Sequence, residues 1–382
     1  MVSFVKHVAI CTLCLVVTAR AESDFATNLV SFSGPFGPYP HDDPATVLGE
    51  PATEVYDPGM PPFTPAGIFT PSLAYGAHRT DMQGQKLIVT LDVGSEIVVG
   101  FDHPVLDHPG NWYGRDLIVY GNAFFSTNVL ICPDSDMEQV HLTTGAVSAE
   151  PITVSVSSDG VNWFAFESGP FADSYFPTNP FTWDRQAGDW GDKLDYTKPV
   201  APSLTGADFA GMSVADAIDL YGGSAGGTSF DLMDLAPADY AQLDQVEIAL
   251  SNGQLVECKY VQYISVTGGQ WPGEIDATSD VAVDPAYDPG PIPGDLNNDG
   301  FVGRDDLDIV LDYWGQPVAP GDLLEGDPSG DGFVGQADLD IVLDYWGQGV
   351  VTAPFTAAPE PITLTQLGVG IILLIGHRRK RV

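Results

Sequence analysis

Apolar and polar residues alternate most clearly from Ile152 to Ser157, where Ile152, Val154 and Val156 interleave with Thr153, Ser155 and Ser157. A period of two puts the two sets on opposite faces of a strand. Ser158-Asp159-Gly160 follows as a turn, and residues 161–166 (VNWFAF) predict the return strand of a hairpin with one buried face. Apolar runs at 86–91, 96–101, 116–120, 245–250 and 260–266 predict more strands, separated by turn stretches rich in Gly, Pro and Asp. Helical spacing is confined to Val214–Leu220 and residues 238–243. Many strands without alternating helices predict a mainly β domain over residues 24–284, an antiparallel, jelly-roll-like β-sandwich.

The pattern changes beyond a Pro/Gly linker at 285–294. Residues 301–316 (FVGRDDLDIVLDYWGQ) recur at 333–348, changed only at Arg304/Gln336 and Asp305/Ala337. Leu307, Val310, Leu311 and Trp314 stand at i, i+3, i+4 and i+7, as do Leu339, Val342, Leu343 and Trp346, so each copy predicts a helix with one apolar face. Neither helix can bury that face alone, and the two copies are expected to pack on each other.

An acidic loop precedes each helix, GDLNNDG in the first copy and GDPSGDG in the second. Read as twelve-residue calcium loops, the first offers Asp295, Asn297, Asp299, the Phe301 carbonyl and Asp306 at positions 1, 3, 5, 7 and 12. The second offers Asp327, Ser329, Asp331, the Phe333 carbonyl and Asp338. Gly300 and Gly332 occupy position 6, where the chain must turn sharply around a hard cation. Gly303 and Gly335 at position 9 leave only a water-mediated contact. Both loops end in Asp where the standard loop has Glu, and Pro291, Pro293 and Gly294 leave no room for an entering helix.

Loop plus exiting helix, twice over residues 295–348, resembles the type I dockerin module. That resemblance implies two bound Ca2+ ions and raises a cohesin domain as partner. Cohesin contact in dockerins runs through loop positions 10 and 11, here Arg304-Asp305 and Gln336-Ala337, which differ from each other and from the hydroxyl pairs usual there. A calcium-stiffened spacer is therefore the alternative to a docking module.

Both ends of the chain carry targeting patterns. Lys6 and His7, a ten-residue apolar stretch and Ala19-Arg20-Ala21 predict a secretory signal peptide at 1–21, removing Cys11 and Cys14 with it. Residues 359–382 hold Pro359-Glu360-Pro361, an apolar segment short of the roughly 20 residues that span a bilayer, and a basic end. This order resembles the PEP-CTERM sorting signal, which implies processing by an exosortase-type membrane protease; an ordinary tail anchor is the alternative. The chain is thus expected at the cell surface or outside the cell, touching membrane only through that tail before processing.

Composition sharpens this picture. Fourteen bases face 52 acids, a net charge of −38, and residues 22–361 alone hold eight bases against 52 acids, −44. Such a surface excludes nucleic acid as a partner, because phosphate contacts need cations, and it attracts divalent ions. With 44% hydrophobic residues the chain can still bury a sizeable core.

The main domain offers little catalytic chemistry. VSVSSDGVNWFAF resembles the hairpin of discoidin-like and galactose-binding-like sandwiches, and DPATVLGEP, GSEIVVGFDHPVLD, DLIVYGNAFF and GGTSFDL resemble bacterial cell-surface sandwich proteins. Residues 222–226 match G-x-S-x-G, but the nucleophile elbow needs a strand before it and a helix after it, the reverse of the pattern here. His103 and His108 lie in twin Asp-His-Pro triplets, a metal pair or a polar loop. Trp183 and Trp190 fall in a long loop, placed to stack on sugar, while Trp163 reads as core. Cys132 and Cys258 form a disulfide or remain two buried thiols. The leading expectation is a non-catalytic exported surface or matrix protein whose sandwich binds a glycan or protein; the rival is a polysaccharide-active hydrolase carrying a dockerin.

Overall fold

The computed structural model describes residues 22–38, 41–52, 55–57, 67–69, 88–129, 131 and 135–349. The proposed signal peptide, sorting tail and Cys132 lie outside these residues. The chain separates into two compact units, one running to Glu247 with Glu257–Tyr287, the other holding Ile248–Val256 and the chain from Asp288. The stretch Ile248–Val256 falls inside the 24–284 span read from sequence, yet it clusters with the second unit.

The first unit is mainly β, built from antiparallel sheets. The largest sheet has the strand order Asn28–Ser33, Glu96–Leu106, Leu255–Thr267, Thr153–Ser157, Phe164–Ala165, with Gln245–Ala249 added beside Leu255–Thr267. A second sheet sets Leu117–Tyr120 between Thr228–Phe230 and Ala277–Asp280. Leu117 and Val119 join one core with Ile97, Val99, Val154, Val156 and Ile264 of the large sheet, the inner layer of a sandwich. Ile118 and Tyr120 point the other way, into a second core with Phe125, Trp183, Phe209 and Ile218. Burial on both faces explains why this strand is an unbroken apolar run. Fully burying each such side chain contributes about 1.5–3 kcal/mol.

The second core rests on elements that sequence periodicity only partly shows. Helix Val214–Leu220 forms over the predicted residues, with the Ser213 hydroxyl accepting from the Asp216 N–H at its start. Residues 238–243 yield a single turn, Pro237–Tyr240. The hairpins Phe124–Thr127/Leu142–Ser148 and Phe181–Asp184/Asp189–Lys193 have no clear alternation in sequence because each buries only part of one face.

The predicted 152–166 hairpin opens further than expected. Pairing stops at Phe164↔Val156, and Asp159 organises the wider turn by accepting the Val161 and Asn162 N–H groups, both at 2.8 Å. Val161 is consequently exposed and Trp163 only half-buried.

The second unit contains helices Arg304–Asp312 and Gln336–Asp344 around a small core of Ile292, Leu296, Val302, Val310, Val334 and Val342. The two copies brace each other reciprocally. Val302 exchanges backbone hydrogen bonds with Gly347 and Gln348 after the second helix, and Val334 does the same with Gly315 and Gln316 after the first. The predicted apolar faces are present but turned. Val310 and Val342 are buried, whereas Leu311, Trp314, Leu343 and Trp346 are 44–51% exposed. Asp306 and Asp338 must point inward to close their own loops, and that requirement rotates each helix away from the phase its apolar residues suggest. No helix of the described residues is long and apolar enough to cross a membrane.

Candidate functional site

Both acidic loops fold alike around their first and last carboxylates. In the first loop, Asp295 accepts from the N–H groups of Asp299 (3.1 Å) and Gly300 (2.9 Å), so the chain curls around its side chain. Asp306 accepts from Leu296 (2.8 Å), Asn297 (3.2 Å) and Gly303 (2.7 Å), joining the loop's start to the first turn of its helix. The Asn297 side chain accepts from the Asp299 N–H, and Asp299 accepts from that of Phe301.

In the second loop, Asp327 accepts from Gly321, Gly330, Asp331, Gly332 and the Ser329 hydroxyl. Asp338 accepts from Ser329 and Gly335, and Asp331 from Phe333. Positions 4 and 6 take left-handed backbone in both copies, Asn298 and Gly300 at φ 58° and 87°, Gly330 and Gly332 at 74° and 82°. A side chain other than Gly or Asn is strained there.

Asp295, Asp306, Asp327 and Asp338 are all buried. Against the upward pull of burial, the Gly321 and Gly332 N–H groups and the Ser329 hydroxyl hold the Asp327 carboxyl down at about 2. Arg304 pairs with Asp308 on the surface, and among the described residues no basic side chain is paired with any of the four buried carboxylates. The donor set is all oxygen and suits a hard cation, and the left-handed turns match what such a loop needs. The loop carboxylate oxygens accept mainly from backbone N–H groups, with the Ser329 hydroxyl also donating to Asp327 and the Asn297 amide to Asp299.

A different trio does converge. Glu150, Asp173 and Glu274 are the one group among the described residues with three ligand atoms within 4.8 Å of one another. Asp173 is buried and accepts from the N–H groups of Asn122, Ala123 and Glu274, so it ties three distant segments together. Glu274 accepts from the Thr90 hydroxyl, and burial, with help from Glu150, pushes its carboxyl up to about 7. The trio is spread over more than a hundred residues and leaves no spacing signal in the sequence.

The remaining candidates fall in varied places. Trp183 and Trp190 do not lie in a loop: they face each other across the Phe181–Asp184/Asp189–Lys193 hairpin, edge to face at 5.5 Å. Trp183 is buried in the second core and Trp190 half-buried against it, so Trp183 offers no stacking face. Trp271, at 71%, is the exposed tryptophan of the first unit. Ser224 is fully buried and accepts from Gly226, between helix Val214–Leu220 and strand Thr228–Phe230, the reverse of a nucleophile elbow.

His103 and His108 diverge in role. His103 bridges Asp280 at 2.9 Å and Asp102 at 3.1 Å, and the Asp280 hydrogen bond, against burial, raises it to about 9. His108 accepts from the Gly110 N–H and is lowered by burial. Cys258 is a buried free cysteine, and burial raises its thiol; Cys132, its proposed partner, is outside the described residues. No protein-family model matches the chain, and no curated protein matches it.

Proposed function

We propose that this chain is an exported, non-catalytic surface or extracellular-matrix protein that binds Ca2+ in its two tandem loops and presents its β-sandwich unit to a glycan or protein partner. The observation that carries the calcium reading is the pair of matching loops, each burying carboxylates at positions 1 and 12 that have no basic partner among the described residues. Asp295, Asn297, Asp299, the Phe301 carbonyl and Asp306 hold one ion; Asp327, Ser329, Asp331, the Phe333 carbonyl and Asp338 hold the other. A bound divalent ion offsets the repulsion among thirteen acids and one base in residues 295–348. The dockerin-like order, the secretory start and the PEP-type tail support export followed by processing through an exosortase-type protease. The exposed Leu311, Trp314, Leu343 and Trp346 suit a protein partner of the cohesin kind.

Isothermal titration of the full chain with CaCl2 tests the metal reading. Two high-affinity sites are expected, one lost on Asp295→Ala and the other on Asp327→Ala. Uptake that survives both substitutions, or none in the parent chain, overturns it. Turnover of any polysaccharide in a hydrolysis panel overturns the non-catalytic part.

A further inference from the structure

The first unit contains an open cavity of about 410 Å³ that none of the candidates above occupies. It falls within the span of small-ligand clefts, roughly 300–1,000 Å³. One wall is apolar, formed by Tyr175, Phe176, Pro202 and Leu204. Tyr175 is 38% exposed, and its hydroxyl is anchored on the Gly145 carbonyl, which fixes the ring.

The opposite character comes from Arg115 and Asp234, paired at 2.8 Å, with Thr228 and Ser229 beside them on the strand Thr228–Phe230. Arg115 Nε and the Thr228 hydroxyl are buried without a hydrogen-bond partner. Leaving a buried polar atom unpaired costs about 1–3 kcal/mol. Both atoms lie beneath the cavity surface without solvent access, so the polar groups that a ligand's hydroxyls meet, directly or through water, are the outer parts of the Arg115–Asp234 pair, whose side chains are 20% and 42% exposed.

We propose that this cavity binds one or two rings of a neutral glycan, which rests on the reading of the first unit as a glycan binder. A sugar ring has an apolar C–H face for the Tyr175 wall and an edge of hydroxyls that both donate and accept. An Arg–Asp pair presents donors and acceptors side by side, which suits neighbouring hydroxyls. An acidic sugar is disfavoured because Asp234 already neutralises Arg115 and the chain as a whole is strongly anionic. A wholly apolar ligand is disfavoured because it strips water from the ion pair and returns nothing.

The full chain in calcium buffer is titrated calorimetrically with cello-, xylo-, manno- and malto-hexaose, and with an oligogalacturonate as the anionic probe. At least one neutral hexaose is expected to bind. Ser229→Trp, which fills the cavity from the strand, is expected to weaken that binding tenfold or more with Tm and calcium uptake unchanged. Leu204→Trp narrows the cavity from its apolar lining and serves if the first variant lowers Tm. Neutral-glycan binding that survives both variants, or that is lost on Trp271→Ala instead, overturns the site and leaves the glycan reading standing. Tighter binding of the oligogalacturonate overturns the ligand class. Absence of binding by every probe overturns both site and glycan reading, while calcium uptake in the same samples remains a separate readout.

Discussion

Single residues show how little of the polar interior is legible from the chain alone. Among 52 acids, nothing in their spacing distinguishes Asp173 and Glu274 from the solvated majority. Folding brings them beside Glu150, where burial holds a proton on Glu274 up to about 7. A carboxyl with a raised folded value binds its proton more tightly folded than unfolded. Its penalty is absent below the ordinary value of 4.5, grows as pH rises, and is complete above about 7. Glu274→Gln keeps the acceptor for Thr90 and is expected to stabilise the fold by about 1–2 kcal/mol at pH 8, with no gain at pH 4; thermal melts at both values decide it.

His103 has the opposite sign, because its raised value favours the charged form. Its contribution is complete below about 6.5 and fades as pH climbs through about 9. His103→Gln should cost about 1–3 kcal/mol at pH 6 and progressively less toward pH 10. A penalty independent of pH would mean that the imidazolium pairs with neither Asp280 nor Asp102.

At the level of elements, periodicity reveals which segments form and often not which way they turn. Helix Val214–Leu220 and the central strand Leu117–Tyr120 are legible because their apolar residues repeat at 3.6 or fill the run. The helices that follow the two acidic loops are legible in period but not in phase. Asp306 and Asp338 each accept an N–H at their helix start, so the inward side is set by capping and loop closure instead of by Leu311 and Trp314. Asp306→Asn keeps one acceptor oxygen, removes a charge and turns an amide NH2 toward either the Gly303 N–H or the Leu296 and Asn297 N–H groups, so it should weaken calcium uptake tenfold or more and lower the calcium-free Tm, though less than Asp306→Ala. Asp306→Ala also strands the Leu296, Asn297 and Gly303 N–H groups and should cost about 2 kcal/mol or more even in EDTA. The Trp183–Trp190 hairpin escapes sequence reading altogether, since a short strand pair with a single buried ring leaves no alternation to count. Trp183→Ala is expected to destabilise by about 3–5 kcal/mol, as core aromatics do, whereas a sugar-stacking role would leave Tm untouched.

Across the whole molecule, the excess of negative charge works against compactness. Residues 22–361 hold eight bases against 52 acids, and Arg185 alone answers three of those acids, Glu138, Asp216 and Asp219. Raising NaCl from about 10 to 150 mM shortens the screening length from about 30 to 8 Å. In EDTA that change should raise Tm by several degrees, and with calcium present by less; a Tm that falls with salt would show that repulsion does not limit stability. Length, periodicity and the close repeat by themselves determined the mainly β class, the two helical copies and their oxygen-donor loops, because those are properties of neighbours along the chain. Only the tertiary structure decided that the central strand is buried on both faces, that Trp183 is core, and that Arg115, Tyr175, Thr228 and Asp234 meet around one cavity. Contacts between residues far apart in sequence depend on how sheets stack and where loops enter, and no local pattern encodes that.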